Sequence, residues 1–300
     1  MEKRGLAPIR LKIQIIYTIL TNGYLYGYIS GKIYKGGMKY ACVPGLNCYS
    51  CPGALGSCPM GALQNALNEQ NLKVPFGVLG FLFFFGSLFG RFVCGFLCPF
   101  GLVQDLLHRI PLLKKYKRKR LPFHQVLKYG KYPVLLGLVI LGSSVLFTGY
   151  VKMPAFCKYL CPSGTLMGAL PLMGTNSQLR SLAGGLFGWK LGVLVLLLIV
   201  SVMVYRPFCQ YLCPLGAIYG WFNRFSLVQI QWTKEACISC GACQNACPLQ
   251  LTPPEISVSP ECIKCGQCIK ACPAHCLQYK SMGGNKLNSN DIVTDITEDM

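Results

Sequence analysis

Acidic residues are scarce in this 300-residue sequence: 10 Asp and Glu stand against 29 Lys and Arg, a formal charge of +19. Such an excess points first to nucleic acid, but the cations crowd into loops flanking apolar stretches, so no nucleic-acid partner is expected. Histidine is scarcer still. His108, His124 and His275 all lie outside the apolar stretches, which excludes a bis-histidine haem within a membrane; no haem is expected. A Rossmann glycine fingerprint for a nicotinamide cofactor is missing, and a flavin site is not evident. The first apolar stretch has no small-residue cleavage site after it, so no cleavable signal peptide is expected. Polar residues are too few for a soluble protein, because 52% of the chain is apolar and the mean hydropathy is +0.42.

Cysteine, by contrast, is abundant. Nineteen are too many for a reduced cytosolic enzyme, and an odd total argues against a framework made only of disulfides. Metal ligation is the better reading. The segment "GLNCYSCPGALGSCPMGA", residues 45–62, packs three cysteines into eleven residues, with Cys42 just ahead. It leaves open a disulfide knot, a zinc knuckle or an iron-sulfur site.

Four stretches, about 11–30, 76–93, 132–150 and 185–205, are apolar enough to span a hydrocarbon core, which takes roughly 20 helical residues. The first carries Lys12, Gln14, Thr18, Thr21 and Asn22, so an interfacial helix is its alternative. Gly86 with Gly90, and Gly188 with Gly192, have the small-xxx-small spacing that brings helices close. The loop "HRIPLLKKYKRKRLPFHQVLKYGK", residues 108–131, is rich in Lys and Arg and has no acid, which places it in the cytoplasm. Both termini are then cytoplasmic, and segments 31–75 and 151–184 face outward in a multi-pass cell-membrane protein. The expected organisation is a four-helix membrane domain over 1–222, with a cysteine-rich outer loop 31–75 and a basic cytoplasmic loop 104–131. A ferredoxin domain over 233–280 and a disordered tail over 281–300 follow.

The most specific signal is the pair "CISCGACQNACP" and "CIKCGQCIKACP", two copies of C-x2-C-x2-C-x3-C-P. In a bacterial-type α+β ferredoxin with two [4Fe-4S] clusters, each copy gives three thiolates to one cluster and its fourth to the other. Cluster one takes Cys237, Cys240, Cys243 and Cys272; cluster two takes Cys262, Cys265, Cys268 and Cys247. Zinc sites lack this proline-punctuated duplication. Gly241 and Gly266 permit the tight backbone wrap, and Cys276 is left over as a spare buried thiol.

"CGFLCPFG" (Cys94, Cys98), "CKYLCPSG" (Cys157, Cys161) and "CQYLCPLG" (Cys209, Cys213) share C-x3-C-P-x-G, and "GSCPMG" around Cys58 is a partial copy with Ala54 in place of the first cysteine. Proline after the second cysteine suits a helix's first turn, so these sulfurs are predicted at helix N-termini, where unpaired amides and the dipole favour thiolate. The topology puts Cys94, Cys98, Cys209 and Cys213 on the cytoplasmic side as one inner cluster. Cys42, Cys48, Cys51, Cys58, Cys157 and Cys161 fall on the outer side and complete at least one more. The fold class is an α-helical membrane protein of about four transmembrane helices, read as inverted two-helix repeats, plus the ferredoxin domain.

Through "RFVCGFLCPFGLVQDLL", "RPFCQYLCPLGAIYG" and the eight-cysteine domain, most of residues 76–280 resembles the membrane polyferredoxins of the NapH, MauN, NosR and CcoG type. The resemblance implies cytoplasmic clusters that pass electrons from quinol or a reduced carrier to outer-side redox proteins, or that serve metalloenzyme maturation. The segment 42–58 and the motif at Cys157 depart from the family pattern by adding outer thiolates. The main functional expectation is an electron conduit from a cytoplasmic ferredoxin or flavodoxin, or quinol, to an outer-side redox protein such as a flavoprotein. No catalytic acid, base or nucleophile is needed, because no substrate bond is made. The alternative is an assembly factor that reduces a metal ion or cysteine of a client metalloenzyme, with the C-x3-C pairs acting as dithiols.

Overall fold

The computed structural model describes residues 6, 7, 9–68, 76–110, 123–143, 154–181, 183–256 and 258–281. The centre of the basic loop, the second half of the 132–150 stretch and the tail beyond 281 lie outside these residues.

Helices dominate, and most are short. The four apolar stretches fold differently from one another. The first breaks into Arg10–Thr21 and Leu25–Ser30, because Asn22 turns its side-chain amide back onto the Thr18 carbonyl. The helix Arg10–Thr21 buries Arg10 and Gln14 while exposing Ile15, Ile16, Ile19 and Leu20, so its apolar face points away from the protein. The second stretch is helical over Phe76–Phe89 and stops at Gly90, whose φ of +55° ends the helix where a side chain would be strained. The third runs from Lys131 into π-helical turns over Val134–Leu141. Only the fourth, Gly185–Met203, is long and apolar enough to cross a membrane among the described residues. At about 1.5 Å per residue its length approaches the ~30 Å of a hydrocarbon core.

Helix packing corrects one expectation. A Cβ on Gly86 would come within 2.6 Å of the Phe222 ring, so that glycine does permit close approach, whereas Gly188 and Gly192 face open space.

The cysteine-proline repeats fold alike. The first cysteine lies in a one-turn helix (Phe92–Phe96, Ala155–Tyr159 and Pro207–Tyr211) and the second begins the next helix. Cys58, Cys98 and Cys213 are the N-caps of Pro59–Leu67, Pro99–Arg109 and Pro214–Phe222, each with proline at the first helical position.

The C-terminal unit is framed by strands β1 (Val228–Trp232) and β2 (Leu277–Ser281), antiparallel in the register Val228↔Ser281 to Trp232↔Leu277. It therefore starts before residue 233, the boundary expected from its cysteines. The unit is joined firmly to the helical part. Asn223 donates from its side-chain amide to the carbonyls of Ser259 (2.7 Å) and Cys262 (2.8 Å), and Arg91 donates to the Pro260 carbonyl (2.8 Å) and the Glu261 carboxylate (2.8 Å). Lys131 forms a second ion pair with Glu261.

Candidate iron-sulfur sites

In the C-terminal unit the backbone repeats its geometry along with its sequence. Ser239 and Lys264 both have φ +53°, Gly241 and Gly266 have +71° and +75°, and Gln250 and His275 both have +54°. These left-handed residues curl each C-x2-C-x2-C run around a point. Both glycines then start a short helix, Ala242–Ala246 and Gln267–Ala271. The fourth cysteine of each copy crosses over. The Cys247 sulfur is within electrostatic reach of Cys262, Cys265 and Cys268, and that of Cys272 within reach of Cys243. Cys237 neighbours Cys243 as well. Cys240 is exposed, whereas Cys262, Cys265 and Cys268 are buried. The spare thiol is close by, with the Cys276 sulfur 3.3 Å from that of Cys272.

In the helical part, Cys94, Cys98, Cys209 and Cys213 line one small enclosed cavity together with Pro44, Gly45 and Leu46. The sequence pairs these four across more than a hundred residues, and the fold brings them together. The Gly101 amide donates to the Cys98 sulfur (3.4 Å) and the Gly216 amide to that of Cys213 (3.3 Å), which is what a helix N-terminus offers an anionic sulfur.

Around this cavity the two motifs support each other reciprocally. Arg91, three residues before Cys94, donates to the Cys209 carbonyl at 2.7 Å, and Arg206, three residues before Cys209, donates to the Cys94 carbonyl. Each guanidinium lies on the C-P-x-G glycine of the other motif. A Cβ on Gly216 would meet Arg91 Nη2 at 2.9 Å, and one on Gly101 would meet the Arg206 guanidinium at 3.3 Å. Both cations are themselves paired, Arg91 with Glu261 and Arg206 with Asp105, which also pairs with Arg10. Burial alone would raise the Asp105 carboxyl, but Arg206 and then Arg10 hold it down at about 2. Neither arginine was singled out from the sequence, although both stand at the same offset from their cysteines.

Of the six cysteines expected on the outer side, the structure gathers four. Cys58, Cys157 and Cys161 each have Cys48 within electrostatic reach. A Cβ on Gly164 would lie 3.7 Å from the Cys48 sulfur and 3.8 Å from that of Cys161, so the glycine leaves the space between them clear. Cys48 thus takes the place that Ala54 vacates in the partial repeat. The other two have partners of their own: Cys51, although also within electrostatic reach of Cys48, binds the Tyr28 hydroxyl (3.1 Å) and faces Asn22, and Cys42 faces the Ser57 hydroxyl at 3.9 Å.

The donor sets suit [4Fe-4S] clusters. Each consists of thiols alone, and among the described residues no three His, Cys, Asp or Glu side chains converge closely enough to hold a single ion. A tetrahedral zinc site draws its ligands within about 2.3 Å of one metal, whereas a cubane spreads four thiolates over four irons. With the enclosed cavity and the amides aimed at sulfur, these sets describe a ferredoxin-like iron-sulfur protein with additional sites in a helical domain.

Comparison with known proteins agrees. One 4Fe-4S binding domain family matches residues 70–120, 133–174 and 186–233, and a second matches residues 230–250. The methylamine utilization ferredoxin-type protein MauN of Paracoccus denitrificans is 30% identical over 200 residues, covering 65% of this chain and 62% of MauN. The regulatory protein NosR of Stutzerimonas stutzeri is 31% identical over 172 residues, 56% of this chain and 21% of NosR. The ferredoxin-type protein NapH of Haemophilus influenzae is 29% identical over 169 residues, 55% of this chain and 50% of NapH. The chain thus spans less than two thirds of the length of these relatives. No solved structure matches it. These matches support a polyferredoxin of the NapH, MauN and NosR type.

Proposed function

We propose that the chain is a membrane electron relay holding four [4Fe-4S] clusters between a cytoplasmic donor and an outer-side redox acceptor. The ligand sets are Cys237, Cys240, Cys243 and Cys272; Cys262, Cys265, Cys268 and Cys247; Cys94, Cys98, Cys209 and Cys213; and Cys48, Cys58, Cys157 and Cys161. When bound, such clusters supply one-electron chemistry without making a substrate bond.

The observation that carries this reading is the unbroken line of protein contacts linking the four sets. Exposed Cys240 opens the first set to a soluble carrier such as ferredoxin or flavodoxin. The second set lies against the inner one, since a Cβ on Gly95, between Cys94 and Cys98, would come within 2.5 Å of the carbonyl of Ile263, between Cys262 and Cys265. The inner set adjoins the outer through Leu46, whose backbone hydrogen-bonds the Cys98 sulfur two residues before Cys48. The segment 42–58 therefore folds inward to meet the inner site. Buried Arg91 and Arg206 offset the negative charge that four thiolates bring into an apolar interior.

Membrane insertion rests on the helix Gly185–Met203 and on the outward apolar faces of the shorter helices. If each half contributes two spans, both halves run in the same direction. The reciprocal Arg91 and Arg206 contacts then fit a two-fold axis along the membrane normal, in place of the inverted arrangement expected from the sequence.

Iron and acid-labile sulfide per chain test the proposal on protein purified without oxygen. Four clusters give about sixteen irons, and reduced ferredoxin added to inside-out vesicles should bleach their absorbance. A count near eight confines the clusters to the C-terminal unit and leaves the helical cysteines as thiols.

A further inference from the structure

Two buried glutamines occupy the same place in two different cysteine sites. Gln64 lies six residues after Cys58 and Gln104 six residues after Cys98, each on the helix that its C-P-x-G motif begins, and both are wholly buried. Gln104 accepts a hydrogen bond at Oε1 from the Phe208 amide (3.2 Å) and donates from Nε2 to the Cys209 sulfur (3.2 Å). Gln64 does the same one site over, accepting from the Phe156 amide (3.1 Å) and donating to the Cys157 sulfur (3.3 Å). Phe208 and Phe156 each precede the first cysteine of their motif, so both carboxamides bracket equivalent backbone and sulfur atoms.

The backbone amide fixes which way each carboxamide points. An amide N–H can only donate, so the atom facing it must be the oxygen, and the NH2 group is left facing sulfur. A thiol sulfur is a weak acceptor, whereas a thiolate is a strong one. A buried NH2 aimed at cysteine sulfur in two separate sites is a device for anionic sulfur.

We infer that Gln104 and Gln64 are positioning residues that set the reduction potentials of the inner and outer clusters, through one hydrogen bond to one ligating sulfur in each. This rests on the ligand sets proposed above. Reduction adds negative charge that is shared with the sulfurs, so a donor at sulfur favours the reduced form and raises the potential. Arranging the donor from the first half of the chain toward a cysteine of the second also makes each potential depend on correct docking of the halves.

The test is a redox titration monitored by electron paramagnetic resonance on purified full-length protein, with iron determined on every sample. Gln104→Leu should keep its iron and lower the inner midpoint by about a tenfold change in the reduction equilibrium, ~59 mV for one electron, with the outer midpoint unmoved. Gln64→Leu should give the converse. Gln104→Glu, nearly isosteric, should lower the inner midpoint further, because a carboxylate replaces a donor beside the sulfur. Unchanged midpoints at full iron content overturn the inference. Loss of the inner cluster in both Gln104→Leu and Gln104→Glu also overturns it and leaves Gln104 a purely structural role. Cys209→Ser separates the two levels of the argument: if it retains the full iron content the ligand assignment itself fails, whereas iron loss there with unmoved midpoints in the glutamine variants defeats only the tuning role.

Discussion

Replacing Asp105 with Asn removes the negative charge from between two buried guanidiniums. Asp105 accepts from Arg206 Nε at 2.8 Å and pairs with Arg10, with side-chain exposures of 4% for Asp105, 1% for Arg206 and 9% for Arg10. Arg206 cannot move to water without releasing the Cys94 carbonyl, so the variant leaves like charges facing one another in a dry site. Breaking a buried pair in this way costs about 3–5 kcal/mol. Linkage gives an independent lower figure: a carboxyl brought from 3.8 to about 2 contributes ~2 kcal/mol at neutral pH. This figure is lower because a protonated Asp still keeps part of its hydrogen bonding. The folded-state carboxyl is depressed, so its contribution is complete above about pH 4 and disappears as the pH falls toward about 2. Thermal unfolding in detergent without oxygen should show Asp105→Asn melting roughly ten degrees below the parent at pH 7, at ~2–4 °C per kcal/mol. The gap should narrow as both proteins are acidified through that window, since protonation makes the parent resemble the variant. Comparing the two at each pH cancels any acid loss of clusters common to both. A variant that melts with its parent at pH 7, or a gap that stays constant down to pH 3, refutes the reasoning.

Further outcomes follow from the packing. Cys48→Ser should lose one cluster's worth of iron, as should Cys58→Ser and Cys161→Ser, while Cys42→Ser and Cys51→Ser keep the full complement; iron analysis on the five variants separates the two groups. Gly95→Ala should drive a methyl against the Ile263 carbonyl, 2.5 Å away, and push the C-terminal unit off the helical part. Stopped-flow reduction would then show the C-terminal clusters filling at the parental rate and the inner cluster lagging, and parental kinetics throughout would contradict the proposed order of sites.

Cysteine spacing carried far in this chain because its constraints are local. A proline after cysteine announces a helix start, and Cys58, Cys98 and Cys213 all cap helices. The duplicated C-x2-C-x2-C-x3-C-P run likewise carries the expectation that Cys247 and Cys272 cross over, and the fold sets Cys247 near Cys262 and Cys268 and Cys272 near Cys243. Features that depend on tertiary contact were invisible. Gln64 and Gln104 look like ordinary polar residues on amphipathic helices, and only the fold shows what each touches. Cys48 could not be told from Cys42 or Cys51 by spacing, since what sets it apart is the 157–168 segment, whose Gly164 and Gly168 pack near its sulfur. Hydropathy also read the 76–93 stretch as continuous where Gly90 turns the backbone.

The reciprocal hold of Arg91 and Arg206 on each other's motif has a consequence for the order of biosynthesis. Cys94 and Cys98 leave the ribosome well before Cys209 and Cys213, and until the later pair arrives the earlier one has neither its partner thiols nor the guanidinium that braces the Cys94 carbonyl. On the proposed ligand set, any scaffold that hands over a preformed cubane must therefore wait for a chain of more than 213 residues. During that interval Cys94 and Cys98 are exposed to oxidants and to stray metals. A cell short of iron, or one suddenly aerated, should accumulate finished chains whose two halves remain undocked.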